Sequence, residues 1–316
     1  MRHATLRQLQ VFTEAARILS FARAAEKLHL TPAAVSFQIR QLETLSGFAL
    51  FERIGKKVAL TEAGRLLAPY AEIVLKALSD ADQGLSGLKG LGGGRVTLGL
   101  VSTAKYIAPH IMAAFQKLYP SVAARLVDGN RAEIVAALLK GELDLAMMGQ
   151  PPEGADIAAL AFADHPTLLI AAPGHRLAGA RRLPLSALAA EQFIVREEGS
   201  GTAALLARHF AKAGFKPRVA MMSSSNETIK QAVMAGMGAA FISGHTVSFE
   251  VAQKLLIILP VSGFPLMRRW YIAHRASMPL LPLHARLKAF FAAEGADAIA
   301  RLAGAAAERA MSGPDN

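Results

Sequence analysis

The chain has no cysteine among its 316 residues, which removes disulfides, thiolate metal sites and thiol nucleophiles together. No apolar run approaches the roughly 18 residues that a membrane helix needs, and the N-terminal MRHATLRQLQ has no signal-peptide hydrophobic stretch. A cytoplasmic protein with no membrane partner is expected. There is no histidine pair at helical metal spacing and no GxSxG nucleophile elbow, and the nine histidines are scattered. An enzyme, a bound metal and a cofactor are therefore not expected. Surface or core roles are the default for these histidines, and His110 and His245, near element ends, are the two that could touch a ligand. A solute-binding protein without DNA function is the rival class, and an exported one would need the signal that is missing.

Acidic residues are also few: 24 Asp and Glu stand against 35 Lys and Arg, a net charge of +11. Residues 1–65 hold ten basic and five acidic residues, so the excess is densest at the N-terminal end, where it suits a polyanion. In the remainder the surplus serves an anionic ligand or is solvated surface. The length and a 53% hydrophobic content support more than one core, a small domain followed by a larger one.

The segment Phe21 to Leu45, FARAAEKLHLTPAAVSFQIRQLETL, reads as two short helices joined by a tight turn at His29 and Leu30. Phe21, Ala24, Ala25 and Leu28 fall at helical spacing on the first, and Val35, Ile39, Leu42 and Leu45 on the second. Thr31 can cap the second helix, and Pro32 supplies the right φ where no donor is needed. The opposite face presents Ala33, Ser36, Phe37 and Arg40, groups able to approach base edges or phosphates in a major groove. Upstream, Leu6, Leu9, Phe12 and Ala16 form an amphipathic helix that closes a three-helix core. Downstream, LFERIGKKVALTEAG (Leu50 to Gly64) reads as a β-wing turning at Gly55, with Arg53, Lys56 and Lys57 beside the phosphate backbone.

This order of elements resembles the winged helix-turn-helix of LysR-type transcriptional regulators, and the resemblance continues through the chain. Phe37 departs from the polar or basic residue that many members carry there. A long helix from about Thr61 to Lys89 repeats Leu66, Tyr70, Ile73, Ala77, Ala81, Leu85 and Leu88 at steps of three and four. Such a helix, extending on the order of 40 Å, needs a partner for its apolar face, a second chain or else its own domain, and Pro69 should kink it near its start. The cluster GLKGLGGGR (Gly87 to Arg95) reads as a hinge.

From Arg95 strands alternate with helices. Strands are expected at 95–101, 144–149, 167–173, 193–197, 218–222, 239–243 and 268–276, and VAARLVDG follows a helix at 107–118. Further helices are expected at 132–139, 203–212, 226–235 and 283–294, then a final Ala-rich helix at 297–311 before a fraying SGPDN. Two α/β lobes with crossing connections place a cleft between them. The expected class is α+β overall, with a winged helix-turn-helix at 1–60, a linker and dimerisation helix with hinge at 61–94, and an effector domain at 95–316. Its lobes are expected at 95–166 with 268–316, and at 167–267. The effector domain of LysR-type regulators, which this plan resembles, shares the architecture of periplasmic solute-binding proteins.

Strand ends carry the cleft chemistry. Ser102, Thr103 and Lys105 follow the first strand, and Gly199, Ser200, Gly201 and Thr202 sit between a strand and a helix; both arrangements can hold an anion, or serve only as caps. Asn130 and Arg131 add complementarity to a negative ligand. STAKY (102–106), REEGSGT (196–202) and SSSNETIKQAV (223–233) look most like the CbbR branch, regulators of Calvin-cycle (RuBisCO) operons. That branch implies activation of carbon-fixation genes, phosphorylated metabolites or NADPH as effectors, a dimer of dimers on double-stranded promoter DNA, and contact with RNA polymerase. A LysR-type regulator of aromatic or amino-acid metabolism is the alternative.

Overall fold

Side-chain caps open each of the first three helices. Thr5 and Gln8 form a reciprocal capping box at α1 (Leu6–Ile18), Ser20 accepts from the Arg23 N–H at α2 (Phe21–Lys27), and Thr31 accepts from Ala34 at α3 (Pro32–Ser46), where Pro32 is the first helical residue. Leu19 and His29 take left-handed φ values of 54° between these helices, and Gly47 ends α3 at φ 76°. Val11, Phe12, Ala15, Ala24, Ala25, Val35, Ile39 and Leu42 form the buried centre. Leu6, expected on the inner stripe, is exposed: it lies in the first turn of α1, and burial begins at Gln8 and Leu9.

This is a computed structural model; it describes residues 1, 3–54, 57–88 and 94–311, in two compact units, 1–89 and 90–316. In the first unit, the wing strands β1 (Phe51–Ile54) and β2 (Lys57–Leu60) pair antiparallel, with Phe51 opposite Leu60 and Arg53 opposite Val58. Phe51 anchors the wing, meeting Phe12 and Phe21 edge-on at centroid distances of 5.6 and 5.1 Å. The expected tip at Gly55 and Lys56 lies outside the described residues.

The helix α4 (Glu62–Leu88) continues through Pro69. Thr61 caps it, accepting from the Gly64 N–H at 3.0 Å. A Cβ on Gly64 would stand 2.1 Å from the Leu50 carbonyl oxygen, so only glycine lets the helix start this close to the strand. Ala63, Leu67, Ala68, Ala71 and Leu75 pack into the winged-helix core. The first half of the expected separate linker therefore belongs to the first unit. On the other face Leu66 and Tyr70 are 67% and 61% exposed, and Ile73, Val74, Leu78 and Leu85 are also exposed. Residues 89–93 of the expected hinge, and the tail SGPDN, lie outside the described residues.

The second unit runs β3 (Gly94–Val101), α5 (Ala108–Leu118), β4 (Val122–Gly129), α6 (Arg131–Leu139), β5 (Leu145–Met148), β6 (Ile157–Ala171), β7 (Gln192–Arg196), α7 (Gly201–Ala213), β8 (Arg218–Ser223), α8 (Asn226–Met234), β9 (Ala240–Ser243), α9 (Ser248–Ala252), β10 (Ile257–Leu259), β11 (Leu266–Arg275) and α10 (Pro282–Met311). One sheet has the order β10-β6-β11-β5-β3-β4, with β9 also on β6, and β7 pairs with β8 in a second. The pairs β3/β4, β3/β5 and β7/β8 are parallel, whereas β6 and β11 run antiparallel to each other.

The long strands correct two expectations. β6 begins at Ile157, ten residues before the expected strand at Thr167, and β11 begins at Leu266, so both expected lobe boundaries fall inside continuous strands. The first half of β6, Ile157 to Ala163, is an apolar run made mostly of alanine, without the β-branched residues or the alternation that mark a strand, and Asp164, His165 and Pro166 interrupt it before the second half. β6 and β11 thus carry both lobes: β5, β3 and β4 build outward from β11, and β9 and β10 from the far half of β6. The two expected C-terminal helices are one, α10, whose Leu287, Phe291, Ala298 and Ile299 are buried in the first lobe.

Candidate functional site

Segments far apart in sequence converge on a cavity of about 630 Å³ in the second unit. β3 delivers Ser102 and Thr103 at its end, α6 opens with Arg131, and the loop after β5 contributes Gly149 to Glu153. His165 comes from β6, Arg196 from the end of β7, and Arg268 from β11. On α7, Gly201, Ala204 and Arg208 share one face at spacings of three and four. Gly199, at φ 83°, turns the chain into that helix, and the Ser200 hydroxyl accepts from the Thr202 and Ala203 N–H groups.

Two corners of the cavity differ. Arg196 is saturated: Nε and Nη2 grip Glu197 at 2.8 and 2.9 Å, Nη1 donates to Asn226 Oδ1 at 2.8 Å, and Nη2 donates to Ser102 Oγ at 2.9 Å. Asn226 in turn donates to the Ser102 carbonyl at 3.0 Å. Because Ser102 lies in the first lobe, this cluster joins the lobes along one side. The Tyr106 hydroxyl donates to Glu227 beside it, and buried Lys230 pairs with Glu227 and Glu250.

Arg268 has no carboxylate partner among the described residues. It donates to the Gly201 carbonyl at 3.3 Å, to Thr167 Oγ1 at 3.1 Å and, at a long 3.5 Å, to Thr202 Oγ1, and its buried Nε finds no acceptor. Burial, with Arg208 and Arg131 nearby, pulls its guanidinium down to about 10. Arg131 is lowered by burial and then by Arg208. Arg131 Nε donates to the Gln150 carbonyl at 3.1 Å, and neither Arg131 nor Arg208 has an ion pair among the described residues.

His165 completes this corner. Burial, then the charge of Arg268 and the neighbouring His245, holds its imidazole well below the ordinary range, so it is neutral. Arg268 Nη2 lies 3.4 Å from His165 Nε2. The Ser243 hydroxyl lies closer to the same Nε2, at 3.0 Å, and can donate or accept there; the other ring nitrogen is Nδ1. That Nδ1 is buried without a partner. The ring stacks on Trp270 at 3.7 Å and 9°, and Trp270 donates to His245 Nδ1 at 3.1 Å. Three guanidinium charges with no ion-pair partner among the described residues suit this cavity chemically to a small anion.

Of the residues expected in the cleft, Ser102, Thr103, Arg131, Ser200, Gly201 and Thr202 line it. Lys105 and Asn130 do not, which corrects the expectation. The Lys105 ammonium lies 5.8 Å from the Tyr106 ring centroid, and the Asn130 side chain caps α6 in a box with Glu133. His110 is exposed on α5, and His245 supports Trp270 behind the lining. Arg268, Arg208, Arg196 and His165 were not anticipated. Two signals existed: Arg268 shares the strand parity of the core residues Trp270 and Ile272, and Arg208 follows Gly201 and Ala204 on one helical face.

In the first unit, Thr31, Pro32, Ala33, Phe37 and Arg40 are exposed along the outer face of α3, with Ser36 half-buried among them. Phe37 is 53% exposed, and Arg40 Nε folds back on the Ser36 carbonyl at 3.4 Å. Arg53 is exposed on β1. Lys56 lies outside the described residues, and Lys57 pairs through its backbone with Ile54.

Residues 6–65 match the family description "bacterial regulatory helix-turn-helix protein, lysR family", and residues 89–296 match "LysR substrate binding domain". The chain belongs to the LysR family of bacterial regulators. This LysR-family chain is 42% identical over 300 residues to the RuBisCO operon transcriptional regulator of Allochromatium vinosum, covering 95% of itself and 99% of that protein. It is also 42% identical over 301 residues to the regulator CfxR of Cupriavidus necator, covering 95% of each chain. The regulatory domain of Synechocystis CcmR, solved in complex with 2-PG, superimposes with a TM-score of 0.59 at 37% identity, over 62% of this chain and 96% of that one. The family and these relatives are regulators rather than enzymes. Among the described residues, no helix of this regulator is long and apolar enough to cross a membrane.

Proposed function

We propose that this LysR-family regulator activates carbon-fixation genes of a RuBisCO operon when a small phosphorylated acid occupies the cavity of its second unit. The observation that carries the reading is the set of Arg131, Arg208 and Arg268, converging on about 630 Å³ without a carboxylate partner among the described residues. The RuBisCO-operon relatives and the 2-phosphoglycolate complex of CcmR support it. A phosphate and a carboxylate on one small molecule satisfy guanidinium donors bidentately, and Ser102, Thr103, Ser200, Gly201 and Thr202 add neutral contacts. NADPH is the second effector to test.

On the DNA side, Thr31, Pro32, Ala33, Ser36, Phe37 and Arg40 face the major groove of promoter DNA, and Arg53, Lys56 and Lys57 hold phosphates. The working division is a reading head at 1–60, a dimerising helix and hinge at 61–94 whose first half packs on that head, and a sensor at 95–316. The exposed stripe of α4 supports pairing of chains, and pairs assemble as a dimer of dimers in the cytoplasm. Ligand biases the arrangement of reading heads only through its unequal affinity for two states, and RNA polymerase reads the result.

The test is a titration followed by the fluorescence of Trp270, the chain's single tryptophan, which stacks on cavity-lining His165. Saturable binding of 2-phosphoglycolate, together with a changed footprint on RuBisCO promoter DNA, supports the reading. Response only to aromatic carboxylates or amino acids moves the regulator to another pathway.

A further inference from the structure

One acidic side chain lines this basic cavity without being matched to a cation. Glu153 sits in the segment Gln150-Pro151-Pro152-Glu153-Gly154, between β5 and β6. It is exposed and has neither an ion pair nor a hydrogen bond among the described residues. Glu197, in contrast, is spent on Arg196. Two prolines and the Arg131 bond to the Gln150 carbonyl at 3.1 Å restrict the loop, and Gly154 turns it at φ 71°. Glu153 is therefore held at the lining by its backbone rather than by a side-chain partner.

We infer that Glu153 is a charge filter that favours small anions carrying no more charge than one phosphate and one carboxylate, about three negative charges, and weakens the binding of longer polyphosphates. This rests on the anion-receptor reading of the cavity and deepens it. The electrostatics are simple. Three guanidinium charges on Arg131, Arg208 and Arg268, less one carboxylate, leave the lining at +2, because Arg196 and Glu197 cancel and His165 is neutral. The repulsion between a carboxylate at the lining and a ligand grows in proportion to the ligand's charge, whereas the neutral donors at Ser200, Thr202 and Thr103 contribute independently of it. Without Glu153 the three arginines would favour the most highly charged phosphate in the cell. With it, the advantage of each added charge is reduced, and specificity arises from repulsion of the wrong ligand as much as from attraction of the right one.

The experiment measures orthophosphate, pyrophosphate and tripolyphosphate binding to the full chain at low ionic strength, by calorimetry and Trp270 fluorescence, in wild type, Glu153→Gln and Glu153→Asp. The filter requires Glu153→Gln to tighten binding by a factor that multiplies roughly fivefold with each added ligand charge, and Glu153→Asp to retain most of the wild-type ranking. Taking the ratio of variant to wild type for each anion removes the effect of ligand size. Equal factors for all three anions, or no change, would overturn the filter and leave the receptor intact. No binding of any of them, or of 2-phosphoglycolate, to wild type would overturn the receptor and the filter together. Because Glu153 has no described partner, the variants should melt with wild type; a lower Tm would show a structural role and count against the proposal.

Discussion

Arg196 and Arg268 line the same cavity, yet one is finished and the other is waiting. Arg196 has a bidentate carboxylate and two further acceptors, so its charge was compensated when the fold closed. Arg268 is also substantially buried, but among the described residues it meets only neutral acceptors, a neutral imidazole and two like charges. Burying a charge without a partner is costly, and it persists where something absent from the fold supplies the counterion. The same residue type is thus structural on one side of the cleft and receptive on the other. Partner inventory, more than position, separates the two roles.

The comparison breaks most visibly through stability. Arg196→Ala leaves Glu197, Asn226 and Ser102 without their donor, and removing one member of such a buried pair costs about 3 kcal/mol, a Tm loss of roughly 10 °C for a unit of this size. Calorimetry of the ligand-free protein should show that loss. Arg268→Ala should leave Tm unchanged or raise it, while weakening 2-phosphoglycolate binding on the order of 100-fold, the equivalent of about 2–3 kcal/mol of charge-assisted hydrogen bonding. If Arg268→Ala destabilised the free protein and left affinity intact, the assignment of the two corners would be reversed.

A smaller effect sharpens the waiting corner. The His165 and His245 imidazoles are held below their ordinary range, by burial in both cases, so the unfolded chain binds protons more readily than the folded one. Their contribution to stability is whole above the ordinary imidazole value of 6.5 and declines as pH falls below it. Tm measured from pH 8 to 5 should be flat and then fall, and His165→Gln should make the fall shallower. Saturating sulfate, an anion that does not itself titrate in this range, should also reduce the slope by placing negative charge beside His165. The smallest effect is outside the cavity: Arg53→Ala should reduce the salt dependence of DNA binding by about one unit of the logarithmic slope, whereas Ser36→Ala should weaken the cognate site more than random DNA. Equal salt slopes for wild type and Arg53→Ala would remove the phosphate contact.

The first unit was the more legible because its determinants are local. Thr31 before Pro32 marks a helix start whose hydrogen bond spans three residues, and the Val35, Ile39 and Leu42 spacing alone specifies the buried face. Leu6 was misplaced because periodicity gives a face but not where along the helix the neighbouring core begins. In the second unit the parallel strands and the α7 and α8 helices were readable from apolar runs. The first half of β6 was not, because its alanine-rich apolar run has no strand signature of its own and is held extended by pairing with β11.

By itself the sequence determined the reading helix, the wing, the unpartnered stripe on α4 and the alternation of strands and helices, all of which depend on residues within a few positions of one another. It also placed Ser102, Thr103, Arg131, Ser200, Gly201 and Thr202 at strand and helix ends, where backbone donors collect. Only the tertiary structure decided that Arg268 would lie beside Gly201 and Thr167 with no carboxylate partner among the described residues, that Glu197 would neutralise Arg196, and that Asn130 and Lys105 would be turned to other work. Charge compensation is a property of groups brought together from distant parts of the chain, and no local pattern records which of them will meet.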